Sequence, residues 1–105
     1  MKTIYKYTLN VLDCSIIRGR IDKFLSVDYQ RSSERVCVWA VVDDAIEESS
    51  FIISSYGTGH KLPNDTGNYI GTVQLYSGEV VLHFFYKQLC IENNKEIKEF
   101  DGIEE

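Results

Sequence analysis

Proline, histidine and paired cysteines are all scarce in this 105-residue chain, which has one proline and two histidines. Its three cysteines, Cys14, Cys37 and Cys90, are widely spaced and form no CxxC pair. An odd number of cysteines at such spacings argues against a disulfide framework and against a zinc or redox motif, so we expect reduced, structural thiols. His60 and His83 lie far apart and neither has a ligand-type residue at metal-binding spacing, so the sequence predicts no metal and no cofactor.

Long apolar runs are also missing. No stretch of about 18 apolar residues exists that would span a membrane, and residues 1–6 lack the continuous apolar segment of a signal peptide. These absences predict a cytoplasmic protein that does not contact membranes.

Signatures of catalysis are absent as well. The chain has no nucleophile elbow, no cysteine-protease signature and no Walker loop. The adjacent acids Asp43-Asp44 and Glu47-Glu48 fall in a polar connection, where carboxyl groups usually face water, whereas general acid or base catalysis needs burial to shift a pKa. The sequence therefore predicts that the protein is not an enzyme.

Basic residues are outnumbered, and their distribution is uneven. The formal net charge is -5, with seven basic and four acidic residues in 1–35 but four basic and twelve acidic residues in 36–105. Six of the acids belong to the tail 92–105, beside two lysines. Such a balance makes nucleic-acid binding unlikely, because a phosphate backbone requires a basic face. An acidic tail suits solubility or contact with a basic partner protein.

Alternation of apolar and polar residues is what the chain has in abundance. It predicts about seven strands at roughly ten-residue spacing and no amphipathic helix before the tail, which indicates an all-β fold, a small antiparallel sandwich or barrel. The predicted strands are 3–11, 14–18, 23–30, 36–42, 51–55, 68–76 and 79–87, the last two joined by a two-residue turn at Ser77-Gly78.

Strands 36–42 and 79–87 are apolar on both faces, so we expect both to be central in their sheets. We predict a single β domain over residues 1–91. The acidic tail 92–105 is either a short helix, since Ile97, Phe100 and Ile103 recur at helical spacing, or disordered. The apolar surface left over also favours a homo-oligomer.

One stretch departs from the strand pattern, and it is the candidate site: Tyr56-Gly57-Thr58-Gly59-His60-Lys61-Leu62-Pro63, in which Tyr56 to Lys61 are the predicted ligand-binding residues, with Tyr69 from a neighbouring strand. We expect both glycines to take positive φ and to point their amides the same way, forming a nest for an anion with His60 and Lys61 at its rim. The alternative is a solvated turn without a ligand, because two glycines and the nearby Pro63 are ordinary turn residues.

Four segments together resemble a known family: Trp39-Ala40-Val41-Val42-Asp43, Tyr56-Gly57-Thr58-Gly59-His60, Tyr69-Ile70-Gly71-Thr72-Val73-Gln74, and a final apolar strand with His83. With the opening Met-Lys-Thr-Ile-aromatic-Lys-Tyr strand, this order is similar to small uncharacterised proteins of phages and prophages that share a domain of unknown function. The resemblance covers about residues 1–87.

A phage origin implies a counter-defence factor in the host cytosol. On that hypothesis the protein sequesters an anionic nucleotide signal in a pocket between subunits. The segment from Gly57 to Lys61 would hold phosphates, and Tyr56, Tyr69 or Trp39 would stack a base. Two alternatives stay open: an inhibitor that uses the acidic surface or tail on a basic host protein, and a structural component of a phage assembly.

Overall fold

The fold is described from a computed structural model, in which residues 1–11 and 13–89 are described. It is all-β, as predicted, with seven antiparallel strands and no helix among those residues. The predicted acidic tail 92–105, the domain boundary at 91 and Cys90 lie outside them. The strands are β1 Lys2–Thr8, β2 Ser15–Gly19, β3 Ile21–Gln30, β4 Arg35–Asp43, β5 Ser49–Gly57, β6 Asn68–Leu75 and β7 Val80–Leu89.

The strands form two sheets. The three-stranded sheet has the order β1-β4-β3, and the four-stranded sheet has the order β2-β5-β7-β6. Both strands that are apolar on two faces, β4 and β7, occupy interior positions, as the sequence indicated. Two separate sheets settle the choice between sandwich and barrel in favour of a sandwich.

Alternate residues of both sheets form the core between them, as the period of two requires. Val38 and Ala40 of the three-stranded sheet are fully buried, and they belong to one cluster with Ile53 and Phe84 of the four-stranded sheet. Truncating a buried phenylalanine costs about 3–5 kcal/mol, so Phe84 is a main contributor to stability.

Strands β3 and β6, the edges of different sheets, approach each other closely at Gly71. A Cβ placed there would lie 3.0 Å from Cγ1 of Val27. Glycine at this position lets the two sheet edges meet, and it fixes β6 against the core. The outer face of β6 therefore becomes a firm support for the side chains described below.

The β6–β7 connection has four residues, 76–79, so the predicted two-residue turn at Ser77-Gly78 is wrong. The N–H of Gly78 donates to the carbonyl of Leu75 at 3.0 Å. Tyr76 and Ser77 both have positive φ, 53° and 57°. This left-handed region is uncommon for residues with a side chain, so the residue types alone do not indicate that the turn begins at Tyr76.

Trp39 lies on the outer face of the three-stranded sheet, half-buried and paired with Lys6 and Ser26. It borders a shallow surface with Ile4 and Leu25. The glycine-containing stretch belongs to the other sheet, so Trp39 lies away from it within one chain, and the suggestion that Trp39 stacks a base in a pocket between subunits stays a prediction.

Candidate functional site

The glycine-containing stretch begins inside a strand. Gly57 is the last residue of β5 and pairs with Leu82 of β7. The chain then turns, and the N–H of His60 donates to the carbonyl of Gly57 at 3.1 Å. Gly59, the third residue of this four-residue turn, has φ +88°, which a type II turn requires and glycine supplies without strain.

The two glycines therefore play different roles. Among the described residues, positive φ occurs at Gly59 but not at Gly57, so the expected nest of two left-handed glycines does not form. The His60 amide is also consumed inside the turn. Gly57 is needed for another reason: a Cβ there would lie 2.9 Å from Cε1 and Nδ1 of His60. The imidazole of His60 lies directly against the Gly57 backbone.

A chain of hydrogen bonds crosses the outer face of the four-stranded sheet beside this turn. Nε2 of His83 lies 2.7 Å from the Thr58 hydroxyl, and Nδ1 lies 3.0 Å from the Thr72 hydroxyl. The Thr72 hydroxyl in turn lies 2.5 Å from the Tyr69 hydroxyl. Both ring nitrogens of His83 are thus occupied by hydroxyl groups, which can donate to one nitrogen and accept from the other, as a neutral imidazole needs.

A β-bulge brings these side chains to one face. Tyr69 pairs with Phe85 and Thr72 pairs with His83, with a register shift between Tyr69 and Gly71. Residues three apart in a regular strand point to opposite faces. The extra residue in the bulge, Ile70, restores the match, so that Tyr69 and Thr72 lie on the same side.

Three aromatic rings form the apolar part of the site. Phe85 lies between two tyrosines, with its ring centroid 5.9 Å from Tyr56 at 63° and 5.5 Å from Tyr69 at 62°. Such edge-to-face contacts are favourable beyond the area they bury. Phe85 is half-buried, whereas 57% of the Tyr69 surface is exposed.

Together these groups enclose a cavity of about 250 Å³. Six of the seven residues predicted from sequence line it: Tyr56, Gly57, Thr58, Gly59, His60 and Tyr69. Lys61 does not line it and is exposed. Three further residues line it: Leu62, which belongs to the predicted stretch but was not named as ligand-binding, and His83 and Phe85, which were missed as site residues.

The missed residues had only a partial signal. His83 and Phe85 alternate with buried Phe84 along β7, which places them on one face of the sheet. The pairing of β5 with β7, which brings that face to the glycine turn, is not encoded by any local pattern. Leu62, 54% exposed at the rim, lies in the predicted stretch, but its residue type did not mark it as a ligand-binding residue.

The surroundings of the cavity are neutral or weakly basic. None of its nine described lining residues is Asp or Glu, and two are histidines. An anion entering it meets no carboxylate on the walls. Within the described residues, no three His, Cys, Asp or Glu side chains come together as a metal site, and no helix is long and apolar enough to cross a membrane.

The arrangement places a hydroxyl beside an imidazole, as nucleophilic catalysis does. The group that orients His83 on its other nitrogen is a threonine hydroxyl, however, and not a carboxylate. In serine proteases, replacing that carboxylate by an amide lowers kcat about 10⁴-fold. Among the described residues, His83 therefore lacks the carboxylate partner that completes a catalytic triad.

Comparisons with curated proteins and with solved structures gave no match. A family model does match residues 1–94, nearly the whole chain. The chain belongs to the family described as Domain of unknown function (DUF7352).

Proposed function

We propose that this protein is a non-catalytic binding protein that holds a small anionic nucleotide in the cavity beside the glycine turn. The observation that supports it best is the combination, in one pocket without acidic residues, of an aromatic surface and a prearranged chain of polar groups. Small-molecule sites are typically apolar pockets with a few convergent polar groups.

The base would pack against Tyr56, Phe85 and Tyr69. Stacking on aromatic rings tolerates any base, because every base has a π-face. The Thr58 hydroxyl, which its bond to His83 leaves with further hydrogen-bonding capacity, would meet a polar atom on the edge of the base. The phosphate would lie toward Gly59 and His60, with the exposed Lys61 next along the chain to supply positive charge.

The size of the cavity supports the involvement of a second copy. At about 250 Å³ it is slightly smaller than the usual 300–1,000 Å³ of ligand sites. Tyr69 and Leu62 at its rim are both more than half exposed. A second copy that covers these two side chains would enlarge and close the pocket, so we propose a homo-oligomer whose subunits meet at this rim.

Isothermal titration calorimetry with cyclic dinucleotides, cyclic ADP-ribose isomers and AMP tests the proposal. We expect saturable binding of at least one of them. Tyr69→Ala should weaken it roughly 5- to 150-fold, since stacking contributes about 1–3 kcal/mol per base. The matched control is Tyr5→Ala, which removes a similarly exposed tyrosine (52%) from β1, outside this cavity.

Two results would contradict the proposal: no heat with any of these nucleotides, or equal losses from Tyr69→Ala and Tyr5→Ala. The oligomer is tested separately by light scattering coupled to gel filtration. A mass that stays that of one chain with and without bound nucleotide would refute the shared pocket but not the binding itself.

We further propose that such binding serves a phage as a counter-defence factor, by removing a nucleotide immune signal from the host cytosol. The resemblance to phage and prophage proteins supports this role. Expression of the chain in bacteria that carry a nucleotide-signalling defence should restore plating of a sensitive phage, and Tyr69→Ala should abolish the rescue. No rescue by the unaltered chain, at a concentration exceeding that of the signal, would refute it.

A further inference from the structure

A second and larger cavity opens at the end of the sandwich, between the edges of the two sheets. Its volume is about 590 Å³, within the range of small-molecule sites. Leu9, Val36 and Leu75 contribute apolar walls, and the first two are buried to 5% and 4% exposure. The N–H of Leu9 donates to the carbonyl of Val36 at 2.9 Å, which holds this end of β1 against β4.

Two tyrosines stand at the rim. Tyr29, at the end of β3, is 39% exposed, and Tyr76, in the β6–β7 connection, is 75% exposed. They come from different sheets, so a flat molecule entering the cavity would meet an aromatic ring from each. Exposed tyrosines beside an apolar cavity supply contact area at low entropic cost on binding.

Two opposite charges complete the lining. Arg35 begins β4, and Glu34 precedes it in the turn. Within residues 1–11 and 13–89, neither side chain makes a hydrogen bond or ion pair with another. A guanidinium left unpaired beside an apolar cavity suits a carboxylate, which it can bind through two parallel hydrogen bonds.

The backbone around this cavity is strained. Among the described residues, only Glu34, Tyr76 and Ser77 have positive φ without being glycine, and two of these three line the cavity. Left-handed backbone costs about 1–2 kcal/mol for a residue with a Cβ. The exposed ring of Tyr76 gains little packing in return. Strain of this kind is concentrated at binding and switch regions.

We propose that this cavity is a second binding site, for a small molecule with a flat apolar body and a single carboxylate. The body lies on Leu9, Val36 and Leu75 between the two tyrosines, and the carboxylate pairs with Arg35. Glu34 repels further negative charge, which selects against polyphosphates and separates this ligand class from the nucleotide of the first cavity.

Titration of the ¹⁵N-labelled protein with indole-3-acetate, followed by NMR, tests the proposal. We expect saturable shifts of the amides of Leu9, Val36 and Tyr76. Tryptophol, which has the same ring but no charge, should bind at least tenfold more weakly. Phenylacetate and hexanoate serve as further carboxylate probes.

Two variants and one control locate the site. Arg35→Gln should weaken the binding of indole-3-acetate at least tenfold. Arg31→Gln, in the turn that precedes Arg35 but outside the lining, should leave the binding unchanged. Tyr76→Gly should weaken binding without lowering the melting temperature, because glycine relieves the left-handed strain. Loss of binding in this variant is therefore not loss of the fold.

Three results would overturn the proposal: no saturable binding of any carboxylate probe, equal effects of Arg31→Gln and Arg35→Gln, or shifts confined to residues 56–60. The last would assign the probe to the first cavity. Nucleotide titration of Arg35→Gln, expected to match the unaltered chain, keeps the outcome separate from that of the proposed function.

Discussion

The two cavities lie near the same end of the four-stranded sheet, where β5 ends and β6 turns into β7, but they use opposite faces. In the first, the polar groups are already paired with one another through His83, and the lining carries no acid. In the second, Arg35 and Glu34 have no side-chain partner among the described residues, and the backbone is strained.

This difference in the pairing of polar groups indicates how each cavity would select its ligand. A prearranged neutral network loses little order on binding, so it discriminates by shape and by hydrogen bonds. Unpaired charges on a strained turn gain most when a ligand of complementary charge arrives. Substitutions that remove a paired group should therefore affect folding, and those that remove an unpaired group should affect binding alone.

We expect the largest loss of stability from a substitution in the β5–β6 loop, which forms one wall of the first cavity. A Cβ on Gly67 would lie 2.3 Å from the Tyr86 carbonyl oxygen, and Gly67 has φ +89°. Gly67→Ala should lower the free energy of unfolding by about 3 kcal/mol or more, since a backbone overlap and left-handed strain add.

Gly59 is the matched control for that prediction. Its φ of +88° is nearly the same, but a Cβ there would meet nothing within 4 Å. Gly59→Ala should cost only the strain, about 1–2 kcal/mol. Urea unfolding of both variants measures the two free energies. Equal losses would show that the close approach to Tyr86 does not constrain the loop.

We expect a smaller loss of stability from replacing His83, whose two ring nitrogens are both hydrogen-bonded. His83→Leu leaves the Thr58 hydroxyl without its partner and the Thr72 hydroxyl with Tyr69 alone. Both hydroxyls are exposed and can bond to water, so the variant should lower the free energy of unfolding by about 0.5–1.5 kcal/mol, the net contribution of a hydrogen bond. Arg35→Gln removes no side-chain hydrogen bond or ion pair among the described residues and should change the free energy of unfolding by less than about 0.5 kcal/mol.

Chemical denaturation of the two variants side by side measures this contrast between the cavities. A loss from Arg35→Gln as large as that from His83→Leu would mean that Arg35 stabilises the fold. It would then no longer be a group left over for a ligand, and the comparison between the cavities would fail.

Much of the fold could be predicted because it follows from the alternation of apolar and polar residues along each strand. All seven strands, the class and the interior positions of β4 and β7 follow from which residues are apolar. The limits appear where a rare backbone conformation intervenes. Tyr76 and Ser77 have positive φ, which is uncommon for residues with a side chain, so their residue types did not reveal that the last hairpin turn has four residues and not the predicted two.

The candidate site could be predicted mainly from a single segment, the glycine-containing stretch after β5. Six of the seven residues named from sequence line the first cavity because they are contiguous or belong to the neighbouring sheet edge. The pairing of β5 with β7 brings His83 and Phe85 to the cavity, and the bulge at Ile70 places Tyr69 on the same outer face as Thr72. Pairing and bulges depend on the whole sheet, so no local pattern reveals them.

The smallest effect is expected far from both cavities, where the Met1 amine donates to Asp44 at 2.7 Å. This hydrogen bond and the charge of Asp44 raise the pKa of the amine above its ordinary value of 8.0. The same hydrogen bond and the amine's charge hold the pKa of Asp44 below its ordinary 3.8. Both groups are exposed, so the stabilisation is small.

The pH dependence of the stabilisation by Met1 and Asp44 follows from the directions of their two pKa shifts. The stabilisation by Asp44 is complete above 3.8 and is lost as pH falls through its lowered pKa. That of the amine is complete below 8.0 and is lost as pH rises through its raised pKa. Asp44→Asn should therefore lower the melting temperature most between those values, and the difference should fade outside them. Glu47→Gln, an exposed acid of the same connection without a side-chain partner among the described residues, should show no such window; if it does, the effect reflects overall charge rather than this contact.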